Sequence, residues 1–157
     1  MYSLFLKTNN IIVVILTLLA FISTSYGDKK GPKVVKLALA ATDQMQFDKK
    51  ELTVTKGSTI ELTLTHSGKL PVNVMGHNFV LLKQGVDIAK FAMIAMQAKK
   101  SEYIAPTQTK DVIAYTKLVG GGASTTITFK APKPGSYDFI CSFPGHYSIM
   151  KGKFIVK

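Results

Sequence analysis

The chain has no tryptophan, no arginine and a single cysteine among its 157 residues. One cysteine excludes an intrachain disulfide, although exported domains of this size often carry one. It also excludes the paired Cys-x-x-Cys spacing of structural zinc sites. Without arginine there is no bidentate fork to read phosphates and guanine edges. The lysines are scattered instead of clustered with aromatics, so no nucleic acid is expected as a partner. Acids are also scarce. Nine of them against twenty lysines leave a net charge of +11. Such a charge attracts acidic partners or anionic surfaces from a distance; solubility is its plainer use. Long apolar runs are missing as well. The longest, residues 11–21, falls short of the about 20 residues that span a bilayer.

That run instead has the flanks of an export signal. Lys7 supplies the positive end, and Ser25-Tyr26-Gly27 offers small residues where a signal peptidase cuts. Residues 1–27 therefore read as a signal peptide. No cysteine follows the apolar core, which excludes a lipid-modified bacterial N-terminus. Cleavage after Gly27 takes 27 residues from 157 and Lys7 from the charge, leaving 130 residues at +10 and no transmembrane segment. Residues 28–33 form a short arm, and residues 34–157 form one domain of ordinary size.

The pattern in that domain is β. Segments 51–55 and 59–65 alternate apolar and polar residues around Gly57-Ser58, which marks half-buried antiparallel strands. Segments 34–40, 78–82, 111–115, 124–129, 137–141 and 153–156 bring the number to about eight. Gly120-Gly121-Gly122 lacks the Lys-Ser/Thr and helix of a phosphate loop, so it reads as a turn. Near residues 86–100 the period changes: Ile88, Phe91, Ala92, Ala95 and Met96 recur at helical spacing. The expectation is an all-β protein, a Greek-key β-sandwich with one helical insertion.

The chemistry concentrates in Cys141-Ser-Phe-Pro-Gly-His146-Tyr-Ser-Ile-Met150. Tyr137, Phe139 and Cys141 share one strand face, and Phe143-Pro144-Gly145 folds the chain back. A thiolate, an imidazole and a thioether thus return to one end of the β-structure. A mononuclear electron-transfer copper site takes one Cys, two His and a long, weak Met contact. The second histidine is best supplied by His77, in Met75-Gly76-His77-Asn78. Zinc competes for Cys and His, but one cysteine and a thioether suit copper better. The plainer alternative takes Cys141 and Met150 as core filler.

The spacing Cys-x4-His-x3-Met followed by Lys-Gly resembles the ligand loop of the azurins, blue copper proteins of the cupredoxin family. Asp43-Gln-Met-Gln-Phe47, Asn73-Val-Met-Gly-His-Asn-Phe-Val-Leu81 and Val112-Ile-Ala-Tyr-Thr-Lys-Leu-Val119 extend the resemblance over residues 34–157. It implies a cupredoxin-like fold with one copper ion, held by His77, Cys141 and His146 in a plane. Met150 would be the long axial contact, and the Gly76 carbonyl would lie opposite it. It further implies that Asn78 ties the two ligand loops together. Met45, Met75, Phe143 and Pro144 would form an apolar docking patch around His146. His66 would be a non-ligand histidine able to modulate the redox state, but the following Pro-Gly is Ser67-Gly68 here. The disulfide usual in the family falls on Val35 and Ser58, and its loss forfeits about 2–4 kcal/mol.

The expected function is that of a one-electron carrier, not an enzyme, in the periplasm of a Gram-negative bacterium. By analogy its partners are redox proteins such as c-type cytochromes and periplasmic reductases or dehydrogenases. Copper buffering or delivery is the alternative from another class. An oxidase needs an open coordination position or a second metal, which three histidines do not furnish.

Overall fold

Alternation along the strands decides the sandwich. The computed structural model describes residues 31 and 33–157; the expected signal peptide, and the arm apart from Gly31 and Lys33, lie outside the described residues. In β1 (Val34–Thr42), Leu39 and Ala41 turn inward. In β4 (Thr59–His66), Ile60, Leu62, Leu64 and His66 do so without a break. These two strands run parallel, Val34 opposite Thr59 and Ala41 opposite His66. With β2 (Gln46–Phe47) beside β1 and β7 (Ser124–Lys130) beside β4, they form one sheet of order β2-β1-β4-β7.

The facing sheet has the order β3-β9-β8-β5-β6. Its strands are β3 (Glu51–Val54), β5 (Val80–Leu82), β6 (Val112–Tyr115), β8 (Gly135–Ile140) and β9 (Lys151–Val156). Between the sheets Phe47, Phe79 and Phe139 pack with Ile60, Leu62, Leu64 and Phe154. The Phe139 ring lies 5.6 Å from Phe47 and 5.3 Å from Phe79, in the tilted geometry that ring quadrupoles favour.

The outer face of the second sheet is covered by α2 (Ile88–Ala95), which follows the short helix α1 (Val72–Met75). Phe91 and Ala95 of α2 pack on Val80, Leu82 and Ile140. β5 is consequently buried on both faces, and its Val-Leu-Leu run shows no alternation. Asp87 caps α2 by accepting from the Lys90 amide at 3.1 Å. Among the described residues no helix is long and apolar enough to cross a membrane.

Three expectations need correction. Segments 51–55 and 59–65 are not an antiparallel pair. The chain changes sheets at Gly57, so β3 runs parallel to β9 and β4 parallel to β1. Strand β5 begins at Val80, not 78, because the Phe79 amide donates to the Thr116 hydroxyl instead of a neighbouring strand. The helix covers Ile88–Ala95 and not all of 86–100, since Ala98 leaves helical geometry at φ −99°, ψ 42°. The two-residue β2 and four-residue α1 are too short to leave a periodic signal.

Candidate metal centre

The sandwich brings two loops together at one end. β8 delivers Cys141 one residue past Ile140, and the loop returns to β9 at Lys151. Its closure is internal: the Cys141 amide donates to the Met150 carbonyl at 2.9 Å, and the Met150 amide to His146 at 2.8 Å. Gly145 stands at φ 82°, the left-handed region that glycine enters without strain. The other loop leaves α1 through Gly76 and presents His77. His77 is fastened to Val119 by two backbone hydrogen bonds, of 3.0 and 2.9 Å. A methyl group on Gly76 would lie 2.5 Å from the Val72 carbonyl and 3.0 Å from the Phe143 ring. Close packing, not a positive φ, demands glycine there.

His77, Cys141 and His146 are buried, and their donor atoms all lie within 4.8 Å of one another. Cys141 Sγ is 3.6 Å from His146 Nδ1 and 3.9 Å from both His77 Nδ1 and the Gly76 carbonyl. A first-row ion takes sulfur at about 2.3 Å and imidazole nitrogen at about 2.0 Å, so these separations fit a single ion bound to all three. The chemistry is prearranged too. His77 Nε2 lies 3.0 Å from the Thr42 carbonyl. A carbonyl can only accept, so Nε2 carries the proton and Nδ1 keeps its lone pair facing the thiol.

A copper-binding family model, described as "Copper binding proteins, plastocyanin/azurin family", matches residues 34–157. The chain belongs to that family. Azurin of Pseudomonas chlororaphis is 46% identical over 127 residues, covering 78% of this chain and 98% of that protein. Azurin-1 of Alcaligenes xylosoxydans xylosoxydans is 43% identical over 118 residues, 73% and 91% of the two chains. Among solved structures, dithionite-reduced auracyanin from Roseiflexus castenholzii superposes with a TM-score of 0.70 at 37% identity, covering 81% of this chain and 99% of its own. Auracyanin A of Chloroflexus aurantiacus, described as a "blue" copper protein, gives 0.72 at 31% identity, with 79% and 99% coverage. Like these plastocyanin/azurin relatives the fold is an all-β sandwich, and its His77-Cys141-His146 site fits one copper ion.

In this family member burial sets the protonation of every donor. It lowers His77 to about 4, helped by the neighbouring His146 and His66 and opposed by the Thr42 carbonyl. It lowers His146 to about 4, again with His66 contributing. It pushes the Cys141 thiol up to about 12. The imidazoles are neutral near pH 7 and ready to coordinate, whereas the thiol must lose its proton to the metal. Copper binding is therefore expected to release one proton, and apparent affinity to rise about tenfold per pH unit across the neutral range. Calorimetry in buffers of unequal ionisation enthalpy counts that proton. A count of zero would mean that the free protein already holds a thiolate. Without metal, the histidines contribute stability above their ordinary value of 6.5 and lose it as pH falls towards about 4, because only the unfolded imidazoles accept protons readily.

Asn78, His66 and Phe143 touch the donor residues or the cysteine loop. Met150 is fully buried. Asn78 is buried and bridges the loops: its Oδ1 accepts from the Ser142 amide at 2.8 Å, and its Nδ2 donates to the Ser142 hydroxyl at 2.9 Å. His66 is outside the metal-holding group. Its ring meets that of His77 edge-on at 4.5 Å, and its Nε2 lies 2.9 Å from Asp43 Oδ1. The Lys69 amide, with those of Leu70 and the His66 ring, holds the Asp43 carboxyl below its ordinary range. Phe143 is buried, with its ring 4.7 Å from that of His146, while Met45, Met75 and Pro144 are half-buried. Sequence reasoning missed the more exposed apolar residues on the same loops. Leu70, Val72, Val74 and Ile149 are 38%, 43%, 54% and 47% exposed. They follow no period; the only signal was apolar side chains inside turn-rich segments.

Proposed function

We propose that this chain is a periplasmic one-electron carrier, exported by residues 1–27 and cycling one copper ion between redox proteins. The observation that carries this reading is a buried His-Cys-His set in which the Thr42 carbonyl fixes the tautomer of His77 before metal arrives. When bound, copper supplies the one-electron Cu(II)/Cu(I) couple. The chain's contribution is to hold His77, Cys141 and His146 where neither oxidation state imposes its own geometry. Met150 would add a weak thioether donor to the bound ion, and the Gly76 carbonyl a weak oxygen contact. Asn78 keeps the two ligand loops in register.

Electrons pass through the His146 edge. Met45, Met75, Phe143 and Pro144, with Leu70, Val72, Val74 and Ile149 beside them, form the apolar docking face. Its partners are redox proteins such as c-type cytochromes, reductases or dehydrogenases, and lysine-rich charge favours acidic ones. His66, paired with Asp43 against His77, modulates the redox state. No catalytic residue is assigned. Donors enclosed on two braced loops support carriage over copper delivery, which needs ligands that exchange readily. Slow, incomplete loss of copper to a competing chelator is the result expected of a carrier.

Met150→Leu tests the axial assignment. It should keep the copper and the thiolate band but raise the reduction potential, because the thioether is a weak donor that supports the more charged Cu(II). An unchanged potential in protein-film voltammetry removes Met150 from the ligand set.

A further inference from the structure

A surface corner outside the ligand loops braces both of them. Glu102 and Tyr103 are consecutive non-glycine residues at φ 56° and 61°. Left-handed backbone at side-chain-bearing residues costs of order 1 kcal/mol or more each and persists where surrounding contacts demand it. Three contacts do so here. The Glu102 carbonyl accepts from Asn78 Nδ2 at 3.2 Å. Its carboxylate accepts from the Leu118 amide at 2.8 Å. The buried Tyr103 ring meets Phe143 edge-on at 5.2 Å.

Each contact leads to a copper ligand. Leu118 precedes Val119, whose backbone exchanges two hydrogen bonds with His77. Phe143 packs on His146. The Asn78 contact decides an orientation. The Ser142 hydroxyl can donate or accept, so it would tolerate either placement of the Asn78 amide. The Ser142 amide, a donor, and the Glu102 carbonyl, an acceptor, fix Oδ1 towards the cysteine loop and Nδ2 towards the corner.

We propose that Glu102 is a positioning residue for the copper centre, its carboxylate restraining His77 through the Leu118 amide and its left-handed carbonyl locking the Asn78 amide against the Cys141 loop. Without the carboxylate the Leu118–Val119 segment loses a tether, and His77 gains freedom relative to Cys141. Cu(II) exploits such freedom more than Cu(I), because it prefers a tetragonal arrangement. This inference rests on the copper site proposed above, yet Glu102 touches no ligand.

Glu102→Gln and Glu102→Ala remove the same charge and keep the same left-handed backbone strain at φ 56°, so the difference between them reads the side-chain hydrogen bond. Glutamine keeps an acceptor for the Leu118 amide; alanine keeps the β-carbon and loses the acceptor. In metal-free protein, the Leu118 amide should exchange about five- to tenfold faster in the alanine variant than in the glutamine variant, the worth of one hydrogen bond. In copper-loaded protein, the ratio of Cu(I) to Cu(II) affinity should fall by a similar factor between the same two, with a broadened Cu(II) spectrum. Equal exchange and affinity ratios within about twofold in the two variants overturn the proposal, whatever their melting temperatures. A wild-type protein without a reversible copper–thiolate band defeats the electron-carrier reading instead. The metal-free exchange comparison still judges Glu102 in that case.

Discussion

Cys141→Ser protein is expected to bind Cu(II) weakly and to lack the intense visible band of the wild type, with nothing for ascorbate to bleach reversibly. The band is a thiolate-to-copper charge transfer, and this chain has one sulfur of that kind. Serine fits the space but offers a hard, poorly acidic hydroxyl. The burial that already pushes the thiol up to about 12 would oppose an alkoxide more strongly. Cu(I), the softer state, suffers most. The loss should exceed the about 10–100-fold typical of residues that only support a ligand. Visible spectra of both proteins after stoichiometric Cu(II) decide the matter. A serine variant as blue and as reversible as the wild type would falsify the assignment of Cys141.

The second large effect lies in the core beneath the site. Phe139→Ala should cost about 3–5 kcal/mol, a large share of the roughly 5–15 kcal/mol that stabilises a domain. Phe139 is fully buried, shares the inward face of β8 with Cys141, and packs on both Phe47 and Phe79. Its ring also faces Gly152 of β9, paired directly opposite. A methyl group on Gly152 would come within 2.3 Å of Phe139 Cζ and 2.6 Å of the Lys50 carbonyl. Gly152→Ala is therefore expected to cost about 1–3 kcal/mol by overpacking. The two substitutions should not add. Once the ring is gone, the new methyl group has room on that side, and only the Lys50 carbonyl resists it. Urea unfolding of both single variants and the double variant gives the coupling energy. Strict additivity would show that the ring and the glycine do not compete for the same space.

Two of the three donors that the structure brings together were legible in the sequence because they are local. Cys141 and His146 lie on one short loop, and turn residues between them leave it few ways to run. Strand alternation was legible for the same reason: Ile60, Leu62 and Leu64 declare their face by position alone. His66 continues that alternation to the strand end, which put it inside, but nothing local placed its ring on His77. Strand pairing was the weak point. The 51–55 and 59–65 segments look like a hairpin, and only the facing sheet decides that β3 joins β9 instead.

The sequence by itself determined the sandwich class, the copper-type donor set and the loop that carries it, because each depends on side-chain identity at short spacing. Tertiary structure alone decided which strands pair, how Thr42 sets the tautomer of His77, and that Glu102 reaches Asn78 and Leu118. Those contacts join residues 16 to 35 positions apart. No periodicity or motif encodes such partners; they meet only once both sheets have closed over the core.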